Sequence, residues 1–171
     1  MIESLSLPVE LIVRTGGVTI RRACIDDLRA LMRLLSDDPI SASRGDVNTA
    51  DDEPAYARGL ERVIADPSND LVVAEDDGRV VGMLQLTVIP GLARRGSTRL
   101  LVEAVRVAGD RRSTGIGGAM MRWVMDAAAR ATGSDLVQLT SDAARTDAHR
   151  FYTRLGFVDS HVGFKYRVGE N

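Results

Sequence analysis

Residues 105–118 read Val-Arg-Val-Ala-Gly-Asp-Arg-Arg-Ser-Thr-Gly-Ile-Gly-Gly, and the rest of the chain is interpreted from this stretch. An apolar strand ends at Val107, a polar turn follows, and glycines open a helix. At such a strand-to-helix junction, backbone N–H groups converge and the helix dipole adds positive potential, which suits a phosphate or pyrophosphate. Glycine lets the ligand approach the backbone closely. We therefore predict a phosphate-binding turn, with Arg111 and Arg112 as sources of charge-assisted hydrogen bonds.

Two well-known phosphate-binding turns do not fit this stretch. A P-loop needs a lysine directly after its last glycine, and Lys165 is the only lysine in the chain. A dinucleotide fingerprint needs Gly-x-Gly-x-x-Gly early in a βαβ unit, whereas Gly115, Gly117 and Gly118 have another spacing and lie late in the chain. The sequence therefore predicts a phosphate-binding turn of a different class.

The composition is typical of a globular protein with one domain. The chain has 171 residues, of which 44% are hydrophobic and 27% charged, so it is long enough to bury its own core. A net charge of −2 gives no electrostatic footprint for nucleic acid. The lone Cys24 excludes an internal disulfide, and with His149 and His161 as the only histidines we expect no metal site. No secretory signal or membrane span is visible, so a cytoplasmic location is expected.

Hydrophobic periodicity predicts the elements around the turn. Residues 1–17 end in two glycines and are predicted as a leader or flexible arm before a single domain over 18–171. The predicted order β-α-α-β-β-β-α-β-α-β indicates an α/β (α+β) fold with a mixed sheet and helices on its faces. The predicted strands cover 18–22, 71–75, 80–89, 100–107, 136–140 and part of 157–168. The predicted helices start at Asp26 and cover 53–65, 116–131 and 146–155.

Three segments in order resemble one protein family. Arg112-Ser113-Thr114-Gly115-Ile116-Gly117 is similar to the Gln/Arg-x-x-Gly-x-Gly/Ala signature of the Gcn5-related N-acetyltransferase (GNAT) superfamily. The segment from Ala148 to Phe157 resembles its Ala-x-x-Phe-Tyr-x-x-x-Gly-Phe motif, and Ile20-Arg21-Arg22-Ala23 resembles its usual opening. The resemblance spans about residues 18–168 and implies a mostly antiparallel central sheet of six to seven strands with helices on both faces.

Shorter stretches are similar to one subgroup, the aminoalkylphosphonate N-acetyltransferases. They are Leu139-Thr140-Ser141, the run from Asp147 to Tyr152, Ser160-His161, and the acidic Glu103 before the turn. Other positions depart from the family pattern. Ser113 stands where glycine is common, Gly109 where proline is common, and Arg145 where many members carry an asparagine that contacts pantetheine.

The resemblance implies acetyl-CoA as the acetyl donor and a primary amine of a small molecule as the acceptor. The turn would bind the pyrophosphate, and the edge of the preceding strand would pair with pantetheine as if it were a further strand. A backbone N–H near Val105 would stabilise the developing oxyanion. The implied cofactor-binding residues are Val105, Arg106, Val107, Arg112, Ser113, Thr114, Gly115, Ile116, Gly117, Gly118 and Arg145.

Glu103 is the candidate general base for direct attack of the amine on the thioester. Strand alternation places it on one face with Leu101, Val105 and Val107. Desolvation among apolar neighbours would raise the pKa of this carboxylate toward the range useful for a general base. The alternative is a structural ion pair with a nearby arginine such as Arg99 or Arg106.

Tyr152 is the acid that the family motif implies for protonation of the departing CoA thiolate. The alternative is a packing role, because Ala148 and Phe151 share its helix face. Phe164 and Tyr166, in the last predicted strand, would suit either the edge of a homodimer or the core.

Two further functions stay open, namely acetylation of protein N-termini or lysines, and a non-catalytic domain that binds acetyl-CoA as a sensor. A closed basic pocket would favour a small anionic acceptor over a peptide, and Arg44, Arg94 and Arg95 are candidates to line one. The alternative for these arginines is a solvated loop.

Overall fold

A six-stranded sheet lies in the larger of the two compact units of the described chain. The computed structural model describes residues 2–169, which fall into two compact units, Met1–Leu139 and Thr140–Asn171. The strands of the first unit lie in chain order: β1 (Val9–Val13), β2 (Gly16–Arg22), β3 (Asn69–Asp76), β4 (Arg79–Ile89), β5 (Arg99–Val107) and β6 (Leu136–Leu139). All neighbours are antiparallel except β5 and β6, which are parallel. The expected mixed, mostly antiparallel sheet is confirmed.

Helices pack on both faces of the sheet, as expected. The helices of the first unit are α1 (Leu28–Ser36), α2 (Pro39–Ala42), α3 (Glu53–Ala65), α4 (Ala93–Gly96), α5 (Ile116–Trp123) and α6 (Ala129–Ala131), with a π-helical turn over Val124–Ala128 between α5 and α6. Helix α7 (Thr146–Arg154) belongs to the second unit. On one face α1 and α3 bury a cluster that includes Leu31, Leu60 and Met83. On the other face α5 brings the sulfur of Met120 next to Gly82 of β4.

The N-terminal residues are not a free leader. Val9–Val13 forms strand β1 and pairs with β2 from Val9 opposite Ile20 to Val13 opposite Gly16. Ile2 and Leu5 are buried ahead of it. The alternation of half-buried and exposed residues along β1 is that of a strand with one face on a core. Met1, Glu170 and Asn171 lie outside the described residues. They are the first residue of the predicted segment 1–17 and the last two of the predicted domain 18–171.

The prediction of strands within 157–168 is wrong for this structure. After α7 the described chain forms no strand up to Gly169. Phe164 and Tyr166 are 91% and 84% exposed, so the core alternative for these two side chains is not observed. Alternating apolar residues need a partner strand and a core to pack on, and sequence periodicity cannot supply either.

Candidate functional site

The turn between β5 and α5, which we call the glycine turn (residues 108–118), has the backbone geometry of a phosphate-binding site. Ser113 and Gly115 have φ angles of +66° and +102°, and Gly115 stands at the N-cap of α5. A positive φ angle of this kind has no steric cost for Gly115, because glycine lacks a Cβ, whereas it is unfavourable for Ser113. The first N–H groups of a helix lack partners within it, so those of the first turn of α5 are available to an anion. Ile116 is buried and anchors this end of the helix.

The two arginines of the turn are already paired with carboxylates. Arg111 lies 3.0 Å from Asp76, and the Nη2 atom of Arg112 lies 3.1 Å from Asp37. Arg112 also donates a hydrogen bond of 3.3 Å through Nε to the carbonyl oxygen of Val107. Each guanidinium would therefore have to exchange or share its carboxylate in order to bind a phosphate.

Two other arginines flank the glycine turn, and sequence reasoning missed both. The side chain of Arg14 lies 3.6 Å from the position that a Cβ on Gly115 would take, and Nη1 of Arg122 lies 3.3 Å from the corresponding position on Gly118. Both side chains are exposed, and no described residue forms an ion pair with either. Arg14 was overlooked because residues 1–17 were set aside, although the mostly apolar run Val9–Val13 could have indicated a strand.

Strand β5 separates from β6 just before the glycine turn. The two strands pair from Arg99 opposite Leu136 to Val102 opposite Leu139, and β5 then continues to Val107 without a β6 partner. Strand β6 ends at Leu139, so residues 103–107 have no strand partner on this edge within the first unit, which is the arrangement that a ligand imitating a strand requires. Two of its carbonyl oxygens are bound by side chains in this structure, that of Val107 by Arg112 and that of Val105 by Arg106.

A β-bulge in β5 overturns the predicted side-chain alternation. Glu103 pairs with Gln85 and Arg106 pairs with Met83, so three steps on β5 face two steps on β4. The extra residue is accommodated at Ala104, whose φ angle is +49°. Glu103 consequently shares its sheet face with Arg106, and Val107 points to the opposite face.

The side chain of Glu103 is exposed, and its carboxylate forms no ion pair or hydrogen bond with another described residue. The arginines considered as structural partners bind elsewhere. Arg99 donates to the side chain of Gln138 at 3.3 Å, and Arg106 donates through Nη2 to Ser41 at 2.6 Å. Neither the structural ion pair nor the expected desolvation of Glu103 is therefore present in this structure.

A cavity of about 600 Å³ lies between α1, α3 and the sheet face that carries Gln85 and Ala104. Most of its wall is apolar, and its polar groups are concentrated near Asn69. The amide oxygen of Asn69 accepts a hydrogen bond of 3.1 Å from Gln85, and its amide nitrogen donates one of 2.8 Å to Asp66. The full lining comprises Leu28, Leu31, Met32, Leu35, Ala55, Tyr56, Gly59, Leu60, Arg62, Val63, Asp66, Asn69, Leu71, Met83, Gln85 and Ala104.

A second, more polar cavity of about 510 Å³ lies between the end of α1 and the start of the glycine turn. Asp37, Arg79 and Asp110 line it, and Arg79 forms an exposed ion pair with Asp110. The arginines expected in an acceptor pocket, Arg44, Arg94 and Arg95, are exposed and line neither cavity.

Tyr152 and Arg145 belong to the second unit. Tyr152 is half-buried, and its ring makes edge-on contacts with Phe151 at 5.1 Å and Phe157 at 5.8 Å between centroids. Arg145 precedes α7, and its carbonyl oxygen accepts the first backbone hydrogen bond of that helix from His149. The first unit, by contrast, holds Glu103, the β5 edge and the glycine turn on consecutive residues.

No group of three or more histidine, cysteine, aspartate or glutamate side chains in residues 2–169 could hold a metal ion. Within the same range, every helix is too short or too polar to cross a membrane.

Comparison with known proteins identifies the family. A sequence model of the acetyltransferase (GNAT) family matches residues 28–157. The chain is 33% identical, over 113 residues, to an aminoalkylphosphonate N-acetyltransferase of Salmonella typhimurium strain LT2, a match that covers 66% of this chain and 72% of that protein.

Solved structures share the fold of this chain. A transcriptional regulator from Bacillus halodurans C-125 is 38% identical, with a TM-score of 0.83 over 88% of this chain and 99% of that one. The glucosamine-6-phosphate N-acetyltransferase of Arabidopsis thaliana shares the fold, with a TM-score of 0.70 at 17% identity over 88% of this chain and 98% of that one. The chain therefore belongs to the acetyltransferase (GNAT) family, and it is an acyltransferase of the family that generally uses acetyl-CoA.

Proposed function

We propose that this protein transfers the acetyl group of acetyl-CoA to a primary amine of a small molecule by direct attack. The observation that carries the proposal is the separation of β5 from β6 after Val102, immediately before the glycine turn. This arrangement offers an open strand edge and an anion-binding helix end on consecutive residues. The similarity to a Salmonella typhimurium aminoalkylphosphonate N-acetyltransferase supports a small amine as acceptor.

The cofactor would bind along one continuous segment, with its pantetheine on the end of β5 and its pyrophosphate at the glycine turn. The N–H groups of Gly115, Gly117 and Gly118 would bind the pyrophosphate, and Arg14 and Arg122 would add positive charge beside it. Pantetheine would replace the missing strand partner of residues 103–107. A backbone N–H near Val105 would then stabilise the oxyanion of the thioester carbonyl. Positioning of this kind supplies much of the rate of a reaction between two bound substrates.

Proton transfer is assigned to Glu103 and Tyr152. An alkylammonium has a pKa of about 10.4 and must lose a proton before its nitrogen can attack. Glu103 would accept this proton, directly or through a water molecule, and a bound acceptor would supply the desolvation that the exposed carboxylate lacks. The nitrogen then bonds to the carbonyl carbon as the C–S bond breaks, and Tyr152 would give its proton to the sulfur. The proton that the new amide nitrogen must still lose would pass through water to the Tyr152 phenolate, which restores the phenol.

The test is thiol release from acetyl-CoA with a panel of amines, comparing wild type with Glu103→Gln and Tyr152→Phe. The panel includes aminoalkylphosphonates, alkylamines, amino acids, polyamines and N-terminal peptides. We expect Glu103→Gln to lower kcat/KM about 100-fold at neutral pH, with a smaller loss at high pH where more of the amine is already neutral. Glu61→Gln on the exposed side of α3 is the matched control and should be neutral. Undiminished turnover in Glu103→Gln would remove Glu103 from the mechanism.

A sensor is the second candidate, because the similar structure from Bacillus halodurans is described as a transcriptional regulator. A sensor would bind acetyl-CoA tightly, turn over none of the amines in the panel, and show no change on Tyr152→Phe. Turnover of peptides alone would instead indicate a protein acetyltransferase.

A further inference from the structure

We propose that the acceptor amine carries a neutral, apolar body, and that the cavity between α1 and α3 receives this body, with Gly59 keeping the cavity open. This inference rests on the proposed function, because it names the class of amine that the same site would accept. The cavity volume of about 600 Å³ lies within the usual range of small-molecule sites.

The wall of the cavity is built from side chains that the fold already buries. Leu31, Met32 and Leu60 come from the helices, and Leu71 and Met83 from the sheet; each is at most 7% exposed. Because these side chains are already buried, the wall would attract an alkyl or aryl group mainly through the apolar area of the ligand that it removes from water. It offers no hydrogen bonds to the body of a ligand along most of its length.

Gly59 is the feature that neither the helix nor its packing explains. It lies inside α3, where glycine costs about 1 kcal/mol relative to alanine. Its φ angle is not positive, and a Cβ built on it meets no atom within 4 Å. The missing side chain therefore relieves no clash and permits no special turn. It does leave space in the wall of the cavity, which Gly59 helps to line.

One end of the cavity reaches the proposed reaction site. Ala104 of the β5 bulge and Gln85 both line it, and Gln85 is the register partner of Glu103 on the same sheet face. An amine whose body fills the cavity would therefore have its nitrogen near the Glu103 carboxylate and the open β5 edge.

The charges of the lining favour a neutral body over an anionic one. Arg62 is the only cation among the described lining residues, and its side chain lies on the exposed part of α3 one turn before Asp66, which also lines the cavity. The Asn69 and Gln85 amides are hydrogen-bonded to each other, and Asn69 also binds Asp66. A phosphonate, by contrast, is best held by convergent arginines or several free N–H donors.

The experiment measures kcat/KM for linear alkylamines from propylamine to heptylamine, with 2-aminoethylphosphonate as the anionic comparison. We expect a rise of about threefold to fourfold for each added methylene, from the free energy of burying one CH₂ group. Gly59→Leu fills the cavity and should lower kcat/KM for heptylamine at least tenfold, a larger loss than for propylamine. Gly59→Ala should give an intermediate loss for heptylamine. Ala65→Leu adds the same side chain at an exposed position of α3 outside the cavity and should change neither.

A binding readout separates this inference from the proposed function. Heptylamine should raise the Tm of wild type, and Gly59→Leu, which the helix should tolerate, should abolish that shift. If no amine is acetylated, the proposed function fails, and the Tm shift still decides whether the cavity binds an apolar amine. If 2-aminoethylphosphonate is the better substrate and Gly59→Leu leaves all rates unchanged, the proposed function stands and this inference is overturned.

Discussion

The backbone N–H of Arg14 donates a hydrogen bond of 3.1 Å to the carbonyl oxygen of Thr114, and this bond joins the β1–β2 hairpin to the glycine turn. It fixes the position of the Arg14 side chain beside Gly115. The N-terminal residues therefore contribute to the proposed cofactor site as well as to the sheet.

Arg14→Ala is expected to raise the KM for acetyl-CoA about threefold to tenfold and to leave kcat unchanged, because an exposed arginine contact with phosphate contributes on the order of 1 kcal/mol. Arg14→Lys should retain part of the effect, and added salt should reduce the difference from wild type. Steady-state kinetics at two ionic strengths would measure this. Arg58→Ala, an equal charge change on the exposed side of α3, serves as the control. An unchanged KM would exclude Arg14 from the cofactor site.

Gly118→Ala should separate stability from cofactor binding. The three atoms nearest to a Cβ at this position all belong to the movable guanidinium of Arg122, with Nη1 at 3.3 Å, and alanine favours a helix over glycine by about 1 kcal/mol. We therefore expect an unchanged or higher Tm together with a higher KM for acetyl-CoA, since the new methyl group stands where the pyrophosphate would approach. Gly59→Ala brings the same helix gain far from the turn in sequence and should not affect that KM. A variant with unaltered cofactor binding would show that Gly118 does not face the phosphate.

Asp27 is expected to contribute to acid sensitivity. Its buried carboxylate accepts hydrogen bonds of 2.7 and 2.9 Å from Arg21 and one of 2.9 Å from the N–H of Cys24. The Arg21 hydrogen bonds hold the pKa of Asp27 below its ordinary value, against the opposing effect of burial. The folded state then binds this proton less readily than the unfolded state, so the stabilisation is complete above the unfolded pKa of about 3.9 and is lost as the pH falls through the lower folded value.

Asp27→Asn should therefore lower the free energy of unfolding at pH 7 by about 2 kcal/mol, less than the 3–5 kcal/mol of a fully buried pair because Arg21 keeps Glu75 as a partner. It should also flatten the loss of stability below about pH 4, as urea denaturation at several pH values would reveal. Asp51→Asn, at an exposed position, is the comparison. An equally steep acid loss in Asp27→Asn would contradict the assignment.

The contribution of Asp70 to the pH dependence of stability should have the opposite sign to that of Asp27. Burial raises its pKa, and the ion pair with Arg22 only partly offsets this because the Arg22 side chain is 40% exposed. The folded state then binds the proton more readily than the unfolded state, so between the two pKa values this group adds stability as the pH falls. Asp70→Asn should remove that contribution, so the free energy of unfolding of wild type should increase relative to that of the variant as the pH falls through this range. Urea denaturation at several pH values would measure this difference, and a difference that stays constant or changes in favour of the variant would reverse the assigned sign.

Local signals in the sequence predict much of the fold. The helix over 53–65 has the predicted bounds, and the β3–β4 hairpin follows from Asp77-Gly78, both of which adopt positive φ angles. Strand β1 was missed because a five-residue run beside a glycine pair gives little periodicity, and its pairing with β2 decides its conformation.

The site is less predictable because it depends on contacts between distant residues. The glycine turn is visible in one stretch, but the pairing of Arg111 with Asp76 and of Arg112 with Asp37 joins residues that are far apart in the chain. The face of Glu103 was predicted from simple alternation, which holds only where no bulge intervenes.

The bulge at Ala104 makes the length of β5 as important as its residue types. Removing one residue between Glu103 and Arg106 would restore regular alternation, and every side chain on one side of the deletion would then change face. Replacement of Ala104 keeps the residue count and so keeps the register, whereas a single-codon deletion moves either the carboxylate or the glycine turn out of place. Relatives that share this site should therefore vary in the identity of the residues between the carboxylate and the turn, but not in their number.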